Sequence, residues 1–297
     1  MFAYTPAVFK RGEPVESRDR CGLCGKSKEN VRKLVVGVHG AVCSDCIDLC
    51  IDIWGQEAGH YKLADGAQSA ERESGTSWTL ADLRLEVCLV NLELRRQGLV
   101  HAHSGNASGL DDESGTVLVK PSGVDYSSLA PGDLVAVDLA SGEAAGGQLK
   151  PSVDLPHHLF LYRNMPEVRG IVHTHSNFAT AFAACGRPIP CVLTSMADEF
   201  GGEIPCAPYV DNDGDNIGRA ILEHRSERAP AILLANHGVF AWGGSPSAAL
   251  KAAVMAEDAA KTAYLAMGIG DPVTLPAEEI EKWWDRYQNR YGQRRGD

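Results

Sequence analysis

No stretch of this sequence stays apolar for the roughly 18 residues that a membrane-crossing helix needs. The opening Met1-Phe-Ala-Tyr-Thr-Pro6 has neither the charged start nor the apolar core of a secretory signal peptide. Positive charge is short: 28 Lys and Arg stand against 39 Asp and Glu, a formal net charge of −11. That deficit argues against a nucleic acid as the main partner of the whole chain. An even set of cysteines is also missing. There are nine, and four of them form two Cys-x-x-Cys pairs. Such pairing suits thiolate metal ligation in a reducing cytoplasm better than a disulfide framework, so a cytoplasmic location is expected.

What remains is an ordinary globular composition, 44% hydrophobic and 23% charged. At 297 residues there is room for one large domain and something small. Residues 1–20 are polar, carry Pro6 and Pro14, and read as a flexible lead-in. Cys21-Gly-Leu-Cys24 follows, then Cys43-Ser-Asp-Cys46 after eighteen intervening residues. Each pair supplies two corners of a tetrahedron, which is a structural zinc site. A segment of residues 21–54 buries too little core to fold alone, so bound zinc would supply much of its stability. Cys50, one helical turn beyond Cys46, reads as packing. Residues 55–76, rich in Gly, Ala, Ser, Glu and Gln, read as a linker to a domain over 77–297.

The domain begins with a helix from Thr79-Leu-Ala-Asp82, its apolar Leu83, Val87, Val90 and Leu94 at helical spacing and Gly98 at its end. Short strands then alternate with helices. Strands are expected at 116–120, 133–138, 170–172 and 231–235, and helices from Pro156, over 178–185, and from Ser245-Pro246 to Gly268. This pattern predicts an α/β fold with one sheet covered by helices.

Gly170-Ile-Val-His-Thr-His-Ser176 holds the chemistry. Side chains alternate along a strand, so His173 and His175 project to one side; on a helix they would splay by roughly 200°. Two parallel imidazoles are half of a divalent-metal site. His237, after the apolar run Ala231–Ala235, and Asp154, at a helix start, are candidates for the remainder, although a turn histidine and a helix cap would look the same in sequence. Two Gly/Ser loops, Ser104-Gly-Asn-Ala-Ser108 and Lys120-Pro-Ser-Gly-Val-Asp-Tyr126, offer hydroxyls, backbone N–H groups and a lysine to a phosphate.

Two resemblances give these residues roles. Cys21 to Leu34 and Cys43-Ser-Asp-Cys-Ile-Asp-Leu-Cys50 resemble the zinc-binding domain at the front of the ClpX unfoldase, a module that dimerises and binds other proteins. No Gly-x-x-x-x-Gly-Lys-Ser/Thr loop follows it, so the nucleotide-driven engine is absent and a role in protein contacts is implied. Eight Lys and Arg against four acids over residues 10–33 read as a solvated basic face.

Residues from about 78 to 293 resemble the class II aldolase/adducin-head family, and within it the L-ribulose-5-phosphate 4-epimerases. Gly105-Asn-Ala-Ser108, Lys120 to Tyr126, Lys150-Pro-Ser-Val-Asp154, Gly170 to Ser176, Ala197-Asp-Glu-Phe200, Ile204-Pro-Cys206, His237-Gly-Val-Phe-Ala-Trp-Gly243 and Tyr291-Gly-Gln293 carry the likeness in one collinear order. It implies a largely antiparallel central sheet in three layers and a zinc-class divalent metal held by His173, His175 and His237, with Asp154 beside it. Asn106, Ser122, Gly123 and Ser152 would line a phosphate pocket with Lys120 near the substrate. Asp198 would be one acid/base, and Tyr291, reaching in from a neighbouring subunit of a four-fold tetramer, the other.

The implied reaction is retro-aldol cleavage and re-formation of a sugar-phosphate carbon–carbon bond, with proton-transfer groups on opposite faces. Aldolases of the family carry Glu at the Asp154 position and lack the Tyr-Gly-Gln ending, so both features point to epimerase. Val153 stands where epimerases carry a second Ser, and Lys282–Arg290 lacks their basic His, which leaves another phosphorylated ketose open as substrate. The alternatives are a class II aldolase of the fuculose- or rhamnulose-phosphate type and a non-catalytic adducin-like binding domain.

Overall fold

The structure is a computed structural model that describes residues 19–21, 26–31, 33–37, 40–44, 46, 79–147 and 149–291. The expected lead-in before residue 19, Cys24, Cys50, the 55–76 linker and Gly292-Gln293 lie outside the described residues. The chain divides into two units, Met1–Ala67 and Gln68–Asp297.

In the first unit a hairpin pairs β1 (Leu34–Gly37) with β2 (Gly40–Cys43) antiparallel, Leu34 opposite Cys43. Cys21, Cys43 and Cys46 are buried, with Val31, Leu34 and Val42 packed against them. Among the described residues, three sulfurs and a few aliphatic side chains make a very small core.

The second unit is built on a seven-stranded sheet. Its strands are β3 (Asn106–Asp111), β4 (Thr116–Val119), β5 (Val135–Asp138), β6 (Gly170–Thr174), β7 (Cys206–Ala207), β8 (Ala231–Leu234) and β9 (Gly238–Gly243), in the order β5-β4-β3-β6-β9-β8-β7. Every pairing is antiparallel except β7 with β8. Seven helices accompany it among the described residues: α1 (Leu80–Arg96), α2 (Leu155–Asn164), α3 (Asn177–Ala184), α4 (Thr194–Phe200), α5 (Asn216–His224), α6 (Pro246–Ile269) and α7 (Ala277–Arg290).

The strands sort their side chains by alternation, and the two faces have separate cores. Ile171, Ile232, Leu234, Phe240 and Trp242 pack with Leu155, Leu159 and Leu161 of α2 and Ile217 and Ile221 of α5. Ala107, Val172, Leu233, Val239 and Ala241 pack with α1, α3, α4 and the alanine-rich face of α6. Each fully buried Ile, Leu or Phe contributes about 1.5–3 kcal/mol. The result is the expected α/β fold, a mostly antiparallel sheet between two helical layers. No helix among the described residues is long and apolar enough to cross a membrane.

Helix α1 starts as its sequence requires. Thr79 Oγ1 accepts from Asp82 N at 3.3 Å, and Asp82 Oδ2 accepts from Thr79 N at 2.9 Å, a reciprocal capping box. One expectation is corrected: Ser104–Ser108 is not a loop throughout, because Asn106, Ala107 and Ser108 belong to the central strand β3. The strand is imposed by its surroundings. Both edges are paired, and the buried Asn91 of α1 donates to Ala107 O at 3.2 Å and accepts from Ala107 N at 2.9 Å.

Candidate metal centre and substrate pocket

Strand register assembles the second unit's site. His173 pairs with Asn106 of β3 on one side and Phe240 of β9 on the other. Its ring stacks on Phe240, centroids 4.3 Å apart and planes 22° apart. His175 lies just past the end of β6, and His237 just before β9. Asn236, at φ 59°, takes the left-handed turn that brings His237 back. Two close approaches require glycine. A Cβ on Gly105 would meet Val100 Cγ1 at 2.5 Å and His173 O at 2.7 Å, and one on Gly238 would meet Thr174 O at 2.5 Å and His175 Cδ2 at 2.7 Å. After His175, the first N–H groups of α3 are held by Glu257 of α6: Phe178 N and Ala179 N donate to its carboxylate at 2.9 and 2.8 Å.

The three imidazoles therefore converge, each offering a ring nitrogen within 4.8 Å of the others. His173 Nδ1 donates to Val239 O at 2.9 Å, which leaves Nε2 as a lone pair aimed inward. His175 Nε2 lies 3.0 Å from that atom. Two imidazole nitrogens so close share a proton or face a common cation. Burial pushes His173 down to about 3 and also lowers His175 and His237, so the rings are in the unprotonated form that binds metal. This donor set fits a zinc-class ion with open positions.

Asp154 stands beside that cluster rather than in it. It occupies the start of α2 but caps no backbone N–H. Its Oδ2 instead accepts from Asn106 Nδ2 at 2.6 Å. Burial acts to raise its pKa, but His173, His158 and the Asn106 bond outweigh this and hold the carboxyl below its usual range. Asn106 Nδ2 also reaches Ser152 Oγ at 3.0 Å, while its Oδ1 is buried without a partner among the described residues. An orphaned acceptor in a pocket wall suits a ligand hydroxyl.

Two turns complete the wall. Ser122 N donates to Lys150 O at 2.9 Å and Ser152 N to Lys120 O at 3.0 Å, so the Lys120–Tyr126 and Lys150–Asp154 segments lie side by side. Tyr126 ties the first to the Gly105 turn, its hydroxyl donating to Gly105 O at 2.7 Å. Lys120 is buried, its Nζ donating to Val124 O at 2.7 Å and lying 4.6 Å from the Tyr126 ring centre. Burial lowers its pKa, against the pull of Asp125. The cavity measures about 180 Å³ and is lined by the three histidines with Asn106, Lys120, Ser122, Gly123, Ser152 and Asp154.

Asp198 and Tyr291 are not among the residues lining it. They share a different neighbourhood. α4, which carries Asp198, packs against α7, whose C-cap is Tyr291. Arg286 of α7 acts on Asp198, and its guanidinium lies 5.7 Å from the Tyr291 ring centre. Burial and Glu199 raise the Asp198 pKa, while Arg286 works in the other direction. Tyr291 is 64% exposed. The pocket also contains residues that sequence reasoning missed, His103 and Asn212 among them. Both sit in loops, where no periodicity marks a site; the nearness of His103 to the Gly105 turn was the available clue.

In the first unit, the sulfurs of Cys21, Cys43 and Cys46 lie within 4.8 Å of one another, and Cys43 N donates to Cys21 Sγ at 3.3 Å. Buried thiolates with a backbone N–H bond are the donor set of a closed structural zinc site.

The model of the class II aldolase and adducin N-terminal domain family matches residues 85–264, and the chain belongs to that family. The ClpX C4-type zinc finger matches residues 19–56. Among solved structures, an L-fuculose 1-phosphate aldolase is 27% identical with a TM-score of 0.64, covering 71% of this chain and 98% of its own. YgbL from Klebsiella pneumoniae, described as a candidate aldolase/epimerase/decarboxylase, is 28% identical with a TM-score of 0.62, covering 70% of this chain and 100% of its own. YgbL from Escherichia coli is 30% identical with a TM-score of 0.57, covering 69% and 98%.

Proposed function

We propose that this protein is a metal-dependent sugar-phosphate epimerase that breaks and re-forms a carbon–carbon bond beside a ketose carbonyl, with L-ribulose 5-phosphate and D-xylulose 5-phosphate as its substrate pair. The observation that carries this is the convergence of three imidazoles beside a Ser/Gly turn in one pocket. A zinc-class ion held by His173, His175 and His237 would supply Lewis acidity to the carbonyl oxygen and stabilise the enediolate left by cleavage.

The chain's own residues do the rest. Ser122 and Ser152 bind the phosphate through their hydroxyls and Gly123 through its backbone N–H, and Asn106 lines the same pocket, holding Ser152 and Asp154 in place. Asp154, held by Asn106, keeps a carboxylate at the margin of the histidine cluster and orients substrate hydroxyls. Lys120 fixes the phosphate turn from beneath through Val124 O. Epimerisation needs a proton accepted on one face of the sugar and returned on the other. Asp198 and Tyr291 serve these two roles. Tyr291 reaches in from a neighbouring subunit of a tetramer, a reading supported by its exposure and by its absence from the pocket of its own chain. The N-terminal zinc module recruits another protein or a second copy. The protein works in the cytoplasm.

The likeness to an L-fuculose 1-phosphate aldolase favours a second reading, a class II aldolase that cleaves a ketose phosphate to an aldehyde and dihydroxyacetone phosphate or, where the phosphate is on C5, dihydroxyacetone and a phosphorylated aldehyde. Incubation with L-ribulose 5-phosphate separates the two: xylulose 5-phosphate supports the epimerase, and net aldehyde release supports the aldolase. A non-catalytic adducin-like domain would do neither. Metal analysis checks that last case, since both sites filled give about two zinc-class ions per chain.

A further inference from the structure

His157 and Asn212 take no part in the chemistry described so far, yet the fold has brought them together, with Asn212 lining the pocket. His157 lies in the first turn of α2, three residues after Asp154, and is 0% exposed. Its Nε2 is 2.6 Å from Asn212 Oδ1. Its Nδ1 is buried without a partner among the described residues. An imidazole sealed in an apolar layer with one nitrogen unmatched costs stability. What it achieves is the orientation of Asn212. With Nε2–H donating to Oδ1, the asparagine amide is fixed, and its Nδ2 group has no hydrogen bond to any described residue. Asn212 lines the same cavity as Asp154 and the three histidines. On either side of it, Asp211 and Asp213 are exposed carboxylates.

We propose that Asn212, held by His157, is a specificity-determining residue that donates a hydrogen bond to a hydroxyl at the uncharged end of the sugar phosphate. This rests on the sugar-phosphate reading of the pocket and adds the direction in which the substrate lies. The flanking acids do not line the cavity but add negative charge at that end, so the neutral, hydroxylated carbons go to Asn212 and the phosphate to the Ser122–Gly123 turn. A sugar-acid phosphate, anionic at both ends, binds less tightly than the ketose phosphate. His157 is a positioning residue acting through Asn212.

Calorimetric titration of the zinc-loaded full chain with L-ribulose 5-phosphate, D-ribonate 5-phosphate and inorganic phosphate tests this. Asn212→Ala should weaken the ketose phosphate about fivefold and leave inorganic phosphate unchanged. His157→Phe should do the same at unaltered zinc content, the double variant should be no worse than either single one, and His157→Gln, which keeps an N–H donor, should recover most of the loss. Should His157→Phe fail to fold, Asn212→Ala decides alone. Unchanged ketose-phosphate affinity in Asn212→Ala, an equal loss for inorganic phosphate, or tighter binding of the ribonate ester by the parental chain would each overturn the proposal and leave the epimerase reading standing. A parental chain that binds inorganic phosphate but no ketose phosphate overturns that reading, and the proposal falls with it.

Discussion

In the first unit the sulfur donors come from a hairpin of four-residue strands and its flanks, whereas the imidazoles of the second come off a seven-stranded sheet with helices on both sides. Among the described residues, only a few aliphatic side chains pack around the cysteines, so metal binding there would be coupled to folding. Around the histidines, two aliphatic cores fix the strands before any ion is considered. The same element of chemistry, a cation among side-chain donors, would thus be the scaffold in one place and a passenger on a scaffold in the other.

The sharpest way to break that contrast is to remove the metal. In Cys21→Ser/Cys43→Ser, the first unit should lose its structure outright, a penalty of about 10 kcal/mol or more. Hydrogen exchange should then rise throughout residues 19–46 while residues 79–291 keep their protection. Collapse of both units together would contradict the comparison. Next in size, His173→Ala should remove one ion per chain and cut turnover by about a thousandfold, several kcal/mol of lost charge stabilisation. Circular dichroism should show the sheet unit still folded. Tyr291→Phe should lower turnover by about a hundredfold to ten-thousandfold with metal content intact, and full activity there would end its assignment as an acid/base.

The smallest expected effect is a response to acid. Burial holds His158 at about 4 and His173 at about 3, against 6.5 for an exposed histidine. Folded pKa values below the unfolded ones mean that the unfolded chain binds more protons in that window. Stability of the metal-free sheet unit should therefore be intact above pH 6.5 and fall as pH drops toward 4. His158 accounts for about 3 kcal/mol of the loss, so His158→Gln should flatten the chemical-denaturation profile over this range.

Much of this was legible in residue order. Thr79 and Asp82 announced the capping box, and the alternation at His173 and His175 placed both rings on one side of β6. The apolar run at 231–235 located β8, which is observed as Ala231–Leu234. Strand β3 was hidden because Asn106-Ala-Ser-Gly-Leu-Asp has no apolar alternation; its conformation comes from two neighbouring strands and the Asn91 side chain. Asp154 could be read as a helix cap until Asn106 was seen opposite it. Asn212 and His157 lie 55 residues apart, and only the packed fold shows that they meet.

Helix α6 presents Ala249, Ala252, Ala253, Ala256, Ala259, Ala260 and Ala263 toward the sheet layer that bears β6 and β9. Methyl groups are the shortest spacers available, so helix and strands are drawn close, and there is no slack to take up a larger group. Bulk added along that row would be transmitted as a tilt of the strands. Its signature would be a folded protein with a blunted affinity for a divalent ion at the histidine cluster, a defect originating on the opposite face of the sheet from His173.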